Sequence, residues 1–89
     1  MQSTEKFGLE FPCNFSVKAM GLNQPGFERL VFEIVAQHVP NLGEDAIRTR
    51  LSSAEKYISV NINFEASSRR QLDNIYQALT DHERVIMSL

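Results

Sequence analysis

Residues 57–65, Tyr57-Ile58-Ser59-Val60-Asn61-Ile62-Asn63-Phe64-Glu65, alternate without a break. Successive side chains of a strand point to opposite faces, so Ile58, Val60, Ile62 and Phe64 share one face. Tyr57, Ser59, Asn61, Asn63 and Glu65 share the other. A strand patterned this way builds a sheet with one buried face and one open face. It is the longest such run in the chain, and its length predicts the centre of the sheet.

The other elements are read around it. Residues 1–8 are polar at their start and expected to be flexible. Phe7, Leu9 and Phe11 alternate and are expected to lie on the domain before Pro12. Residues 13–20 read as a strand with Phe15, Val17 and Ala19 inward and Asn14, Ser16, Lys18 and Met20 outward. Gly21 is expected to break it. Asn23 is the expected cap of a helix with Pro25 in its first turn, where a missing N–H costs nothing. Leu30, Val31, Ile34 and Val35 recur at helical spacing, and the helix is expected to stop near His38, before Pro40. Residues 46–52 read as a strand with Ile47, Thr49 and Leu51 inward and Arg48 and Arg50 outward. Ser53-Ala54-Glu55-Lys56 is a hairpin turn into the central strand. Ser68 with Gln71 suggests a capping box ahead of a helix whose apolar stripe is Leu72, Ile75, Tyr76 and Leu79. Val85, Met87 and Leu89 alternate in a last strand, with Met87 assigned to the core and Ile86 outside it.

Strand-helix-strand-strand-helix-strand implies one α+β domain over residues 1–89. The expected fold is a ferredoxin-like split βαβ sandwich, with four antiparallel strands in order 4-1-3-2 and both helices on one face.

The chain's totals exclude several classes. A net charge of −2 argues against general nucleic-acid binding, which needs a basic surface. One cysteine cannot form an internal disulfide, and no apolar run suffices for a signal peptide or membrane span. A cytoplasmic protein without a membrane partner is expected. The two histidines follow different helices and fall at opposite ends of the domain, so they cannot share a metal. Cys13 lacks a C-x-x-C context. No cofactor or metal is indicated, and Glu44, Asp45, Glu55, Asp81 and Glu83 read as solvated charge. RNA-recognition domains of this topology stack bases on sheet aromatics, but only Tyr57 is available here. Acylphosphatase-like chemistry needs an arginine in the loop after the first strand, and Gly21-Leu22-Asn23-Gln24 has none.

One constellation remains. Lys18, Arg50, Ser52, Tyr57 and Ser59 point to the open face near the hairpin end, bordered by Ser53 and Lys56. The start of the first helix, with Gly21 and Asn23, is expected nearby and favours anions. The reading is a non-catalytic, regulatory module that takes a small anion or an acidic part of a protein partner here, with a homodimer expected. The alternative is a structural adaptor that pairs through the open face without a small ligand.

The same residues carry a resemblance. Leu9-Glu10-Phe11-Pro12, the run Phe15-Ser16-Val17-Lys18-Ala19-Met20-Gly21, Ser52-Ser53 with Tyr57-Ile58-Ser59-Val60, Ile75-Tyr76-Gln77-Ala78-Leu79 and Val85-Ile86-Met87-Ser88-Leu89 resemble the YbeD-like family of small bacterial proteins. The resemblance implies a ferredoxin-like fold similar to the regulatory ACT domains that bind amino acids. It implies a regulatory or interaction role and brings no catalytic residues. That family often has glycine in the hairpin turn, where this chain has Ala54-Glu55.

If residues 57–65 form the central strand, Val60→Ala should destabilise the protein by about 1–3 kcal/mol through lost burial and a residual cavity. An unchanged urea midpoint would show the strand to be misassigned.

Overall fold

Two long strands, β1 (Cys13–Leu22) and β3 (Tyr57–Ala66), pair antiparallel from Cys13 opposite Ala66 to Leu22 opposite Tyr57. They form the middle of the sheet in the computed structural model, which describes residues 9–89. Strand β2 (Ile47–Leu51) joins the outer side of β3, and β4 (Met87–Ser88) joins the outer side of β1. The order β2-β3-β1-β4 is the expected 4-1-3-2 read from the opposite edge. Helices α1 (Phe27–Ala36) and α2 (Arg69–Asp81) complete a ferredoxin-like α+β fold.

The register decides what is buried. Val17 opposite Ile62 and Ala19 opposite Val60 point to the helices, and each is at most 1 % exposed. Phe27, Val31 and Val35 of α1 and Leu72, Ile75 and Leu79 of α2 close over them. Phe15 meets Phe64 and, edge-on, Tyr76 at the margin. Leu9 and Phe11 pack against this core, as expected for the segment before Pro12. Phe7 and the expectation for residues 1–8 lie outside the described residues.

Four readings of the sequence need correction. Gly21 does not end β1. It sits within the strand, buried opposite Ile58, with the Phe27 ring and the Arg84 carbonyl on its Cα. Asn23 does not cap α1. Its N–H donates to the Lys56 carbonyl and its Nδ2 to the Glu55 carbonyl, which ties β1 to the hairpin turn. The helix starts later, after Gly26 at φ +86°, and ends at Ala36 rather than near His38. Leu51, read as core, is 44 % exposed, because the helices rest on β1 and β3 and leave the edge strand thinly covered.

Met87 is the fourth. It pairs with Met20 on the open face and is 48 % exposed, while Ser88 stands opposite Ala19. A one-residue shift of register sends every side chain to the other face. The hydrogen bonds from Ile86 N–H to the Met20 carbonyl and from Leu89 N–H to the Lys18 carbonyl fix that shift here.

The capping box is present in a modified form. Ser68 Oγ accepts from the Gln71 N–H at 3.0 Å, as a cap should. The Gln71 side chain reaches back to the Ser67 N–H rather than to the cap, and donates to the His38 carbonyl at 2.7 Å. One residue thus starts α2 and ties it to the end of α1.

Gly21 is required by space. A Cβ there would stand 2.5 Å from both the Arg84 carbonyl oxygen and the Phe27 ring. Gly21→Ala should lower stability by about 1–3 kcal/mol, the usual cost of overpacking, read as a lower urea midpoint. A midpoint equal to wild type would mean that α1 and the segment before β4 do not close on this strand.

Candidate functional site

Positions 18, 20 and 22 of β1 share the open face with 57, 59 and 61 of β3 and with 48 and 50 of β2. Successive rows therefore run across the sheet. One reads Arg48, Asn61, Lys18, and Leu89 bonded beside Lys18. The next reads Arg50, Ser59, Met20, Met87. At the hairpin end stand Tyr57 and Leu22.

Between these rows lies a concavity of about 260 Å³ lined by Lys18, Met20, Arg50, Leu51, Ser52, Tyr57 and Ser59. Its floor is Ser59, 8 % exposed, whose hydroxyl donates to the Arg50 carbonyl at 3.4 Å. Ser52 Oγ accepts from the Tyr57 N–H at 3.0 Å, and Tyr57 N–H is thereby fixed at the strand start. The Lys56 ammonium lies 5.5 Å from the centre of the Tyr57 ring, a cation–π contact that brings its charge to the rim.

Of the residues expected at the site, Lys18, Arg50, Ser52, Tyr57 and Ser59 meet in this one concavity, and Lys56 borders it. Gly21 belongs to the opposite face. Asn23 is engaged in the turn contacts above and lies outside the lining. The start of α1 is not at hand either. Phe27 packs on the helix side of Gly21, so the sheet stands between the helix N-terminus and the concavity. The Arg84 guanidinium occupies that region instead, donating to the Gln24 and Pro25 carbonyls and lying 5.7 Å from the centre of the Phe27 ring.

The face also carries residues that the sequence reading missed. Met87, expected in the core, extends the open face beside Met20, and Leu89 follows it opposite Lys18. Exposures of 41 % for Leu22, 48 % for Met87 and 64 % for Leu89 make this half of the face apolar. The strand parity of the Met20–Met87 pair was the missing signal.

Charge is segregated. Lys18, Arg48, Arg50 and Lys56 make no ion pair with a carboxylate among the described residues. Arg48 donates to the Asp45 and Ile47 carbonyls, which holds but does not neutralise it. Among the described residues the one carboxylate on the strands of this face, Glu65, stands at the far end opposite Asn14. On the helices, a hydrogen bond to Glu44, then the charge of Glu33, raises Arg29 above its ordinary value, and burial raises the Tyr76 phenol.

The histidines fall apart as expected. The His38 carbonyl meets Gln71 at the start of α2, and His82 follows the end of that helix, about 16 Å away at the α-helical rise. Among the described residues no group of three His, Cys, Asp or Glu could hold a metal ion, and no helix is long and apolar enough to cross a membrane.

A family model described as "Protein of unknown function (DUF493)" matches residues 6–89. A UPF0250 protein of Nitrosomonas europaea is 41% identical over 86 residues, 97% of this chain and 99% of its own length. A UPF0250 protein of Neisseria gonorrhoeae is 44% identical over 77 residues, 86% of this chain and 85% of its own. Among solved structures, the solution structure of protein HP0495 from H. pylori has a TM-score of 0.68 at 15% identity, covering 91% of this chain and 85% of that one. That last likeness is one of fold.

The turn beside the concavity gives a direct test of its backbone. Glu55 holds φ +59°, a left-handed conformation that costs an L-residue about 1–2 kcal/mol. Glu55→Gly removes that cost and adds some unfolded-state entropy, so a net gain of about 0.5–1 kcal/mol in urea unfolding is expected. A loss of stability would show that the turn adopts another conformation.

Proposed function

The chain belongs to the DUF493 family of proteins of unknown function, and from that premise we propose a non-catalytic, regulatory binding module. Its open sheet face recognises an anionic group, carried by a small ligand or by a protein partner, in the manner of ACT domains. The observation that supports this reading is the concavity itself. Two cations, Lys18 and Arg50, and the side chains of Ser52 and Tyr57 line one hollow over the Ser59 hydroxyl, which donates to the Arg50 carbonyl, on a face whose cations make no ion pair with a carboxylate among the described residues. Charge-assisted hydrogen bonds from such groups bind a carboxylate or phosphate more strongly than neutral donors do. Lys18 stands on a central strand rather than on a loop, so the sheet fixes its position. A lysine with no role would be as common on a wet face; the cluster, not the residue, is the argument.

Phosphate, citrate and amino acids should be titrated while backbone amide shifts are recorded. Saturable shifts are expected at Lys18, Tyr57 and Ser59, and Lys18→Ala should abolish them while leaving the rest of the spectrum in place. Shifts spread evenly over all basic residues, or no shifts, would remove this reading.

A further inference from the structure

We propose that the natural occupant of this face is an acidic, amphipathic segment of a protein partner, lying along the strands with its apolar side over β1 and β4 and its carboxylates over β2. The proposal rests on the reading of the face as an anion-recognition surface and names the carrier of the anion.

Three observations favour a segment over a small molecule. The concavity is about 260 Å³, below the roughly 300–1,000 Å³ of sites that enclose a ligand, so it suits one anchoring side chain. The apolar surface continues well past it, over Leu22, Met87 and Leu89. A small anion bound at Lys18 and Arg50 would leave that surface in water. Finally, the two halves are ordered. Arg48 and Arg50 stand on β2, Lys18 stands on β1, and the apolar row lies on β1 and β4. Strands about 4.8 Å apart make the face about 14 Å wide from β2 to β4, enough to seat one helix about 10–12 Å across with its side chains. Helix-in-groove recognition uses this arrangement, an apolar stripe flanked by charge.

Charge also chooses among occupants. A second copy stacked with its β2 over β2 would oppose Lys18, Arg48 and Arg50 with the same basic set, and like charges brought together discourage that arrangement. Nucleic acid would find phosphate contacts but one aromatic, Tyr57, for stacking. A carboxylate-bearing segment with apolar residues satisfies both halves.

The test places a photoreactive benzoylphenylalanine at Met87 in the full chain, expressed in its native cell, with the same group at the exposed α2 residue Asn74 as control. The segment crosslinked at Met87 is sequenced. The expected result is a protein segment of net negative charge with apolar residues at helical spacing. Made as a synthetic peptide, it should bind the full chain and lose affinity as salt rises from about 0.05 to about 0.3 M. Arg50→Glu should weaken it about tenfold or more, Arg50→Gln should weaken it in the same direction, and Arg70→Glu should not. Amide spectra of each variant show whether the fold is kept. Crosslinks to a second copy, to nucleic acid or to an uncharged segment overturn the proposal, as do no crosslink above the Asn74 control and binding to phosphatidylserine vesicles in place of a peptide. If anion titration gives saturable shifts at Lys18 while Met87 captures no acidic segment, the anion site stands and the protein partner falls. If neither result appears, both fall.

Discussion

The ten-residue antiparallel pairing of β1 with β3 is the constraint on which the rest of the structure hangs. Every other element takes its orientation from it. Because the side-chain period of a strand is two, the register sends Val17, Ala19, Val60 and Ile62 to the helices and Lys18, Met20, Ser59 and Asn61 to the open face. The outer strands have no independent say. β2 inherits its faces from β3, and β4 inherits its faces from hydrogen bonds to Lys18 and Met20. A slip of one residue in the central pair would exchange the core for the open face.

The second dependence lies at Gly21. Its missing side chain admits the Phe27 ring and the Arg84 carbonyl to the same spot. Arg84 then reaches over Phe27 to the carbonyls of Gln24 and Pro25, so the loop, the first turn of α1 and the approach to β4 are held by one residue. Met20 and Leu22, the two neighbours of Gly21 on the strand, face the other way and shape the open face. Core closure and the candidate site therefore share one short piece of backbone, and disturbance of either is transmitted through it.

Long alternating runs made most of this legible. Parity along residues 57–65 and 15–19 assigns the central faces without reference to anything else, and it brought Lys18, Arg50, Ser52, Tyr57 and Ser59 to one place. The same parity would have removed Gly21 from the site, since it falls in step with Val17 and Ala19. The start of α1 was obscured because Asn23 and Pro25 resemble a cap and first turn, whereas Asn23 is spent on the hairpin. Phe27 could have been found as the first member of the i, i+4, i+8 series with Val31 and Val35. The phase of β4 was not legible. A strand of two residues carries too little pattern to fix its own parity, and only its bonds to β1 decide it.

Folding alone gives no reason for the distribution of charge. The chain has 11 Asp and Glu against 9 Lys and Arg, yet the strands of one sheet face carry Lys18, Arg48 and Arg50 with one carboxylate among the described residues, the distant Glu65. Gathering like charges costs free energy and gains nothing in the core. The arrangement also shapes the exposed edge. If β2 paired antiparallel with β2 of a second copy about Thr49, Arg48 would oppose the copy's Arg50 on the same face, and directly opposed like charges are destabilising. Basic side chains on an edge strand are a known protection against such pairing. Arg48 and Arg50 therefore disfavour that one register of edge pairing. A segment that brings carboxylates to Lys18, Arg48 and Arg50 would meet attraction there in place of that repulsion.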